Sequence, residues 1–165
     1  MHVLNRERLV NEKEFIYFLI SFLPIFLENL LAHEFQVGNI NINHPYVRFA
    51  VSTGPAAGYM TIVNTGEEND KLIKIETPIA TNSDFHMTNI YNSQATMERV
   101  DFIELPAQKA RSLKPGGYHI MFMDLNTELK VGKNIDAKLF FEKNGEIEIA
   151  FEVENFSENL EHTSH

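Results

Sequence analysis

The chain has 165 residues and no cysteine. That absence excludes a disulfide framework, thiolate zinc sites and a thiol nucleophile. It also excludes a blue-copper electron-transfer centre, which requires an equatorial thiolate. Positive charge is scarce. Fourteen Lys and Arg against 23 Asp and Glu leave a formal charge of -9, which disfavours nucleic acid or an anionic membrane surface as a partner. Beyond residue 33 there is no long stretch of 3.6-residue periodicity, no internal repeat and no low-complexity tract. Paired carboxylates, a Ser-His-Asp constellation and a phosphate-cradling glycine loop are missing too, so an enzyme is not expected.

The first 32 residues differ in composition from the rest. A charged opening over residues 1–14 leads into an apolar run from Phe15 to Phe26, and Leu30-Leu31-Ala32 follows. This layout predicts a secretory signal peptide cleaved after Ala32, and hence export to the periplasm. Glu7, Glu12 and Glu14 offset Arg6, Arg8 and Lys13, and Glu28 sits near the cut, so an uncleaved N-terminal anchor is the competing expectation. Pro24 and Glu28 break the run short of a membrane span. Cleavage would leave a domain of charge -8, because only three of the basic and four of the acidic residues precede it.

From residue 33 to 153 short runs alternate with turn signals. Strands are predicted over 47–51, 58–64, 71–77, 84–90, 98–104, 118–123, 136–142 and 146–153. Between them fall Thr53-Gly54-Pro55, Thr65-Gly66, Pro106, Pro115-Gly116-Gly117 and Val131-Gly132-Lys133. The clearest hairpin turns at Lys143-Asn144-Gly145, where Asn-Gly is expected to supply the positive φ angles. Seven or eight antiparallel strands in about 120 residues imply an all-β domain, a Greek-key β-sandwich or barrel. Residues 154–165 read as a flexible tail.

Within this domain His86, Met97, His119 and Met121 form a donor set that few metals suit. Ten residues separate the first pair, twenty-one the second, and His119-Ile120-Met121 closes the set. Thioether is a soft, neutral donor that copper, above all Cu(I), accepts alongside imidazole. His119 and Met121, two apart on a strand, share one face. A hairpin carrying His86 and Met97 is expected to face that strand across the sandwich. Single Met residues on strands are usually packing. Met60 is read as core, Met87 as turned away from His86, and Met123 as core or a spare ligand. His44, beside Pro45, is read as structural.

The spacing, His86-Met87-x9-Met97 followed by x21 and His119-x-Met121, resembles that of the periplasmic copper chaperones called PCu(A)C. The likeness extends to His44-Pro45-Tyr46-Val47-Arg48, to Ala57-Gly58-Tyr59-Met60-Thr61-Ile62 and to Ile103-Glu104-Leu105-Pro106-Ala107. It also covers Leu113-Lys114-Pro115-Gly116-Gly117-Tyr118-His119-Ile120-Met121. The resemblance implies a cupredoxin-like β-barrel that binds one Cu(I) through His86, Met97, His119 and Met121. It further implies delivery to the CuA centre of cytochrome c oxidase or its assembly factors; separately, a monomer is expected. Tyr46 stands where many relatives carry Trp, a departure expected to alter packing rather than metal binding.

Two rival readings keep the same residues. A copper buffer or resistance protein would use the site without a dedicated client, and an adhesion module would bind no metal. A secondary Cu(II) site at the ends would draw on His33 as a new N-terminus and on His162 and His165, although exposed terminal histidines are commoner than ligands.

Overall fold

Strict alternation of buried and half-buried residues over Ala56-Ala57-Gly58-Tyr59-Met60-Thr61-Ile62-Val63-Asn64 makes this segment a strand with one face inward. The same logic repeats through the computed structural model, which describes residues 34–92 and 94–154. The export segment expected at 1–32, together with His33, His162 and His165, lies outside the described residues.

Eleven strands follow in order: β1 (Glu34–Val37), β2 (Ile40–Phe49), β3 (Ala56–Asn64), β4 (Asp70–Glu76), β5 (Ala80–Tyr91) and β6 (Gln94–Val100). They continue with β7 (Ile103–Leu105), β8 (Lys109–Leu113), β9 (Tyr118–Leu125), β10 (Asn134–Phe141) and β11 (Gly145–Val153). The domain is all-β, as expected. Its strands hydrogen-bond in the order β6-β5-β9-β3-β2-β11-β10-β4-β7, with β1 added to β2 and β8 to β3. Every pairing is antiparallel except β11 with β2. Beyond these ladders β4 also meets β5 and β7 meets β8, so the sheet curls around one core. That core includes Ile40, Ile62, Leu72, Ile103, Ile120 and Leu139, all fully buried. Phe122 from β9 meets Phe151 from β11 edge to face, with centroids 5.7 Å apart.

Several expectations need correction. The strand expected at 47–51 is Ile40–Phe49. Its alternation was hidden by a bulge at His44-Pro45, where the register to β3 slips between Asn43 and Tyr46 and His44 takes φ 47. The run 98–104 divides into β6 and β7 at Asp101-Phe102. In the β10–β11 turn only Gly145 takes positive φ (84); Asn144 does not. The Asn144 side chain instead ties three segments together. Its Nδ2 donates to Asp70 Oδ2 at 2.7 Å, and its Oδ1 accepts from Asn39 N at 2.9 Å. Asp70, buried at the start of β4, also accepts from the backbone N–H groups of Lys71, Lys143 and Asn144.

Of the tail expected at 154–165, residues 155–165 lie outside the described residues, and Glu154 is held by the fold. Its N–H donates to Val47 O at 2.9 Å, and its carboxylate pairs with Arg48 at 2.9 Å and His44 at 3.0 Å. His44 is thus structural, as read. Met60 is core, only 2 % exposed.

Candidate metal centre

Strand alternation decides which side chains share the outer face of β6, β5, β9 and β3. The inner face of β5 and β9 carries Phe85 opposite Ile120. The residues between them point out. His86 is therefore directly opposite His119, and Asp84 is opposite Met121. On the other side of β5, Met97 is opposite Thr88 and Arg99 opposite His86. Thr88 and His86 lie two apart on one face, so Met97 occupies a position diagonal to His86, as Met121 does on β9. All four residues singled out from the sequence thus lie on one face of three adjacent strands. The expectation of two elements facing one another across a sandwich is wrong, because β5 itself pairs with β9.

The two imidazole rings stand with centroids 5.9 Å apart at 38°. His119 is buried, 3 % exposed. The tight turn at Lys114-Pro115-Gly116-Gly117, with Gly116 at φ 76, brings the Gly117 carbonyl to the start of β9. That oxygen accepts from Thr88 N at 3.1 Å and from His119 Nδ1 at 3.0 Å. A carbonyl only accepts, so the His119 proton is on Nδ1 and the Nε2 lone pair is left for another purpose. Such a backbone anchor on one ring nitrogen is the usual companion of a metal-ligating histidine.

His86 differs. Both of its ring nitrogens are buried, and neither has a hydrogen-bond partner. Among the described residues the other orphaned buried atoms belong to Asn41, Asn43 and Arg48 on β2. The remaining buried polar side chains are accounted for: Asn64 bonds Glu68 O, Leu105 O and Gly66 N, and Asp70 closes the β10–β11 turn. An unpaired buried imidazole is costly without a ligand. Burial, then the neighbouring His119, push the His86 pKa below 6.5, with Asp84 opposing and Arg99 adding. The ring is therefore neutral near pH 7, the form in which imidazole donates to a metal.

Exposure grades across the site. Met121 is half-buried, while Met97 on the edge strand β6 is 55 % exposed. One side of the donor set is open to a docking molecule. Met87, on the opposite face from His86, pairs with Glu98 and Tyr118. Met123 is opposite Asn82, two register positions beyond Met121, and is outside the core, so of its two readings core packing does not hold. Among the described residues no three His, Cys, Asp or Glu side chains gather as a metal site. Conventional hard or thiolate ligation is thus not assembled, whereas two imidazoles flanked by two thioethers suit a soft monovalent ion.

The neighbours of the set carry no ligand pattern in the sequence. Tyr59 lies 6.4 Å from His119 between ring centroids, Tyr46 packs on Tyr59 at 5.2 Å, and His44 on Tyr46 at 5.0 Å. The row of rings walls the site on the β3 side. Burial raises the pKa of both tyrosines, so they stay neutral. Arg99 and Asp84 form an ion pair at 2.7 Å on the other side. Asp84 was legible in principle, being two residues before His86 on a strand.

The chain is similar to several known proteins. The family described as "Putative lipoprotein LpqE-like" matches residues 40–153. A putative lipoprotein of Leifsonia xyli subsp. xyli, Lxx21020, is 28 % identical over 123 residues, 74 % of each chain. The copper-bound PCuAC domain from PmoF2 is 32 % identical with a TM-score of 0.65, over 74 % of this chain and 98 % of that one. The Cu(I) form of DR1885 from Deinococcus radiodurans is 28 % identical with a TM-score of 0.57, over 74 % and 81 %.

Proposed function

The chain belongs to the LpqE-like family of PCuAC-type copper-binding domains, and from that premise we propose that it is an exported chaperone carrying one Cu(I) on His86, Met97, His119 and Met121. The observation that carries the ligand assignment is the pair of imidazoles. His86 has two buried, unpartnered nitrogens, beside a His119 whose Nδ1 is spent on Gly117. The four donors are all neutral, which favours Cu(I) over Cu(II). The DR1885 relative is described with Cu(I) bound.

Carriage rather than catalysis follows from the open side of the site. Exposed Met97 is placed to leave the ion first, so that a partner's donor replaces it and the remaining ligands follow one at a time. The family resemblance extends the reading to a client, the CuA centre of an oxidase or its assembly factors. Export rests on the signal-like segment and on the lipoprotein descriptions of the relatives. The 165 residues themselves offer no cysteine for thioether lipidation.

The deciding experiment is competition for Cu(I) against a chromogenic chelator. Met97→Leu/Met121→Leu should lose affinity while keeping the β-sheet circular dichroism of the parent. Undiminished affinity would refute the assignment. Cu(I) transfer to an apo CuA domain, followed by its absorption bands, tests the client.

A further inference from the structure

Three features lie outside the donor set: the groove of about 1130 Å³ between β4, β10 and β5, the exposed Ile90 and Tyr91 at the β5–β6 turn, and the Arg99–Asp84 ion pair. Nothing in the structure shows what fills the groove or covers the turn. The ion pair is different, because the strand register ties it to the site. Arg99 is the direct cross-strand partner of His86, and Asp84 is the direct partner of Met121. The Arg99 Nη2 to Asp84 Oδ1 distance is 2.7 Å, with the Asp84 side chain 21 % exposed and Arg99 69 %.

We propose that this ion pair is the valence filter of the site: Arg99 is a positioning residue that holds the Asp84 carboxylate away from His86 and His119. The inference rests on the copper reading above. A carboxylate joined to two imidazoles makes a nitrogen–oxygen set that suits Cu(II), whereas thioethers add little for that ion. Asp84 has the place to complete such a set, two register positions from the paired histidines and on the same face. In the structure its charge is committed to Arg99 instead, and no group of three such donors forms among the described residues. The guanidinium opposite His86 also repels a second positive charge on the ion. Both effects act against Cu(II) and leave the thioether-bearing site to Cu(I).

The filter needs no large structural investment. An ion pair with one partner this exposed contributes little to stability, so its removal leaves the sheet intact.

The test uses the full chain with Cu(II) supplied as its glycinate, followed by competition and electron paramagnetic resonance. Terminal histidines contribute equally to every variant and cancel in the comparison. Arg99→Gln should bind Cu(II) about tenfold more tightly, the scale of one charge repelling a dication across hydrated surface. Cu(I) affinity should shift by a smaller factor. Adding Asp84→Asn or His86→Ala to Arg99→Gln should abolish the gain and change the Cu(II) spectrum away from its mixed nitrogen–oxygen form. Arg99→Lys, which keeps the charge, should stay close to wild type. No gain in Arg99→Gln, or a gain with the same spectrum after Asp84→Asn, would overturn the filter. A wild-type chain that takes up no Cu(I) would instead overturn the copper reading, and the filter with it.

Discussion

His86 and His119 occupy directly paired positions on β5 and β9, with ring centroids 5.9 Å apart. Only one of the two is anchored by the protein: His119 donates to Gly117 O, while both nitrogens of His86 are buried without a partner. The asymmetry means that the metal-free fold carries a polarity it does not use.

Replacing that ring by an apolar one of similar shape should therefore separate stability from binding. His86→Phe is expected to leave the apo domain as stable or to stabilise it by about 1 kcal/mol, the gain from deleting unsatisfied polar atoms. Cu(I) affinity should collapse at the same time. Urea unfolding of the apo form and chelator competition check the two halves. A clear fall in the urea midpoint would show that the imidazole nitrogens contribute to the metal-free fold.

Acid should weaken the apo protein, for reasons that can be signed. His86 has its pKa held below 6.5, mainly by burial. The unfolded chain thus takes up this proton first, and stability falls as pH drops from about 6.5 towards the folded value. At Asp70 burial opposes ionisation, but bonds from Asn144 and three backbone N–H groups outweigh it and hold the carboxyl below its ordinary range. Its contribution is full above the unfolded pKa of about 4 and disappears as pH falls through the folded value. Melting temperatures across pH 3 to 8 should show two declines, roughly around these ranges, and His86→Phe should erase the upper one.

Asp70→Asn should be among the more damaging single changes away from the site. The carboxylate accepts from Lys71, Lys143 and Asn144, and Asn144 in turn accepts from Asn39. An amide has one acceptor oxygen where the carboxylate has two, so at least one buried bond is lost, at a cost of about 1–3 kcal/mol. Combined with Asn144→Ala the losses should fall short of additive, because the two residues share one network. Full additivity would mean that they act separately.

Gly58 lies behind the site on the inner face of β3, paired with Ile120. A Cβ there would stand 2.8 Å from Phe122 Cε2 and 3.4 Å from Ile120 Cβ. Phe122 is fully buried and locked against Phe151, so it has little room to yield. Gly58→Ala should destabilise by about 1–3 kcal/mol, the usual cost of overpacking. Thermal unfolding decides it, and an unchanged melting temperature would show that the ring can shift.

Much of the core was legible because alternation marks a half-buried strand wherever it runs unbroken. Residues 56–64 and 147–153 are of this kind. Where it breaks, the signal fails. The His44-Pro45 bulge moves the buried positions of β2 from Ile40 and Ile42 to Pro45 and Val47, and a two-residue period cannot follow that step. β8, Lys109-Ala-Arg-Ser-Leu113, has a single buried residue and pairs only with part of β3, so it carries almost no pattern of its own. Asn144-Gly145 was read as a backbone device, yet the Asn acts through its side chain, which depends on Asp70, 74 residues away.

The sequence by itself determined which donor types are on offer, since without cysteine the proposed set of two histidines and two methionines has only neutral donors, which suit a soft ion. It also determined that His119 and Met121 share a face, because that follows from strand geometry alone. Only the tertiary structure decided that β5 lies between β6 and β9. That strand order places His86 opposite His119, leaves Met97 on an open edge and sets the Arg99–Asp84 pair beside the ring. Strand order arises from burying inner faces around one core, a property of the whole chain that no local spacing contains.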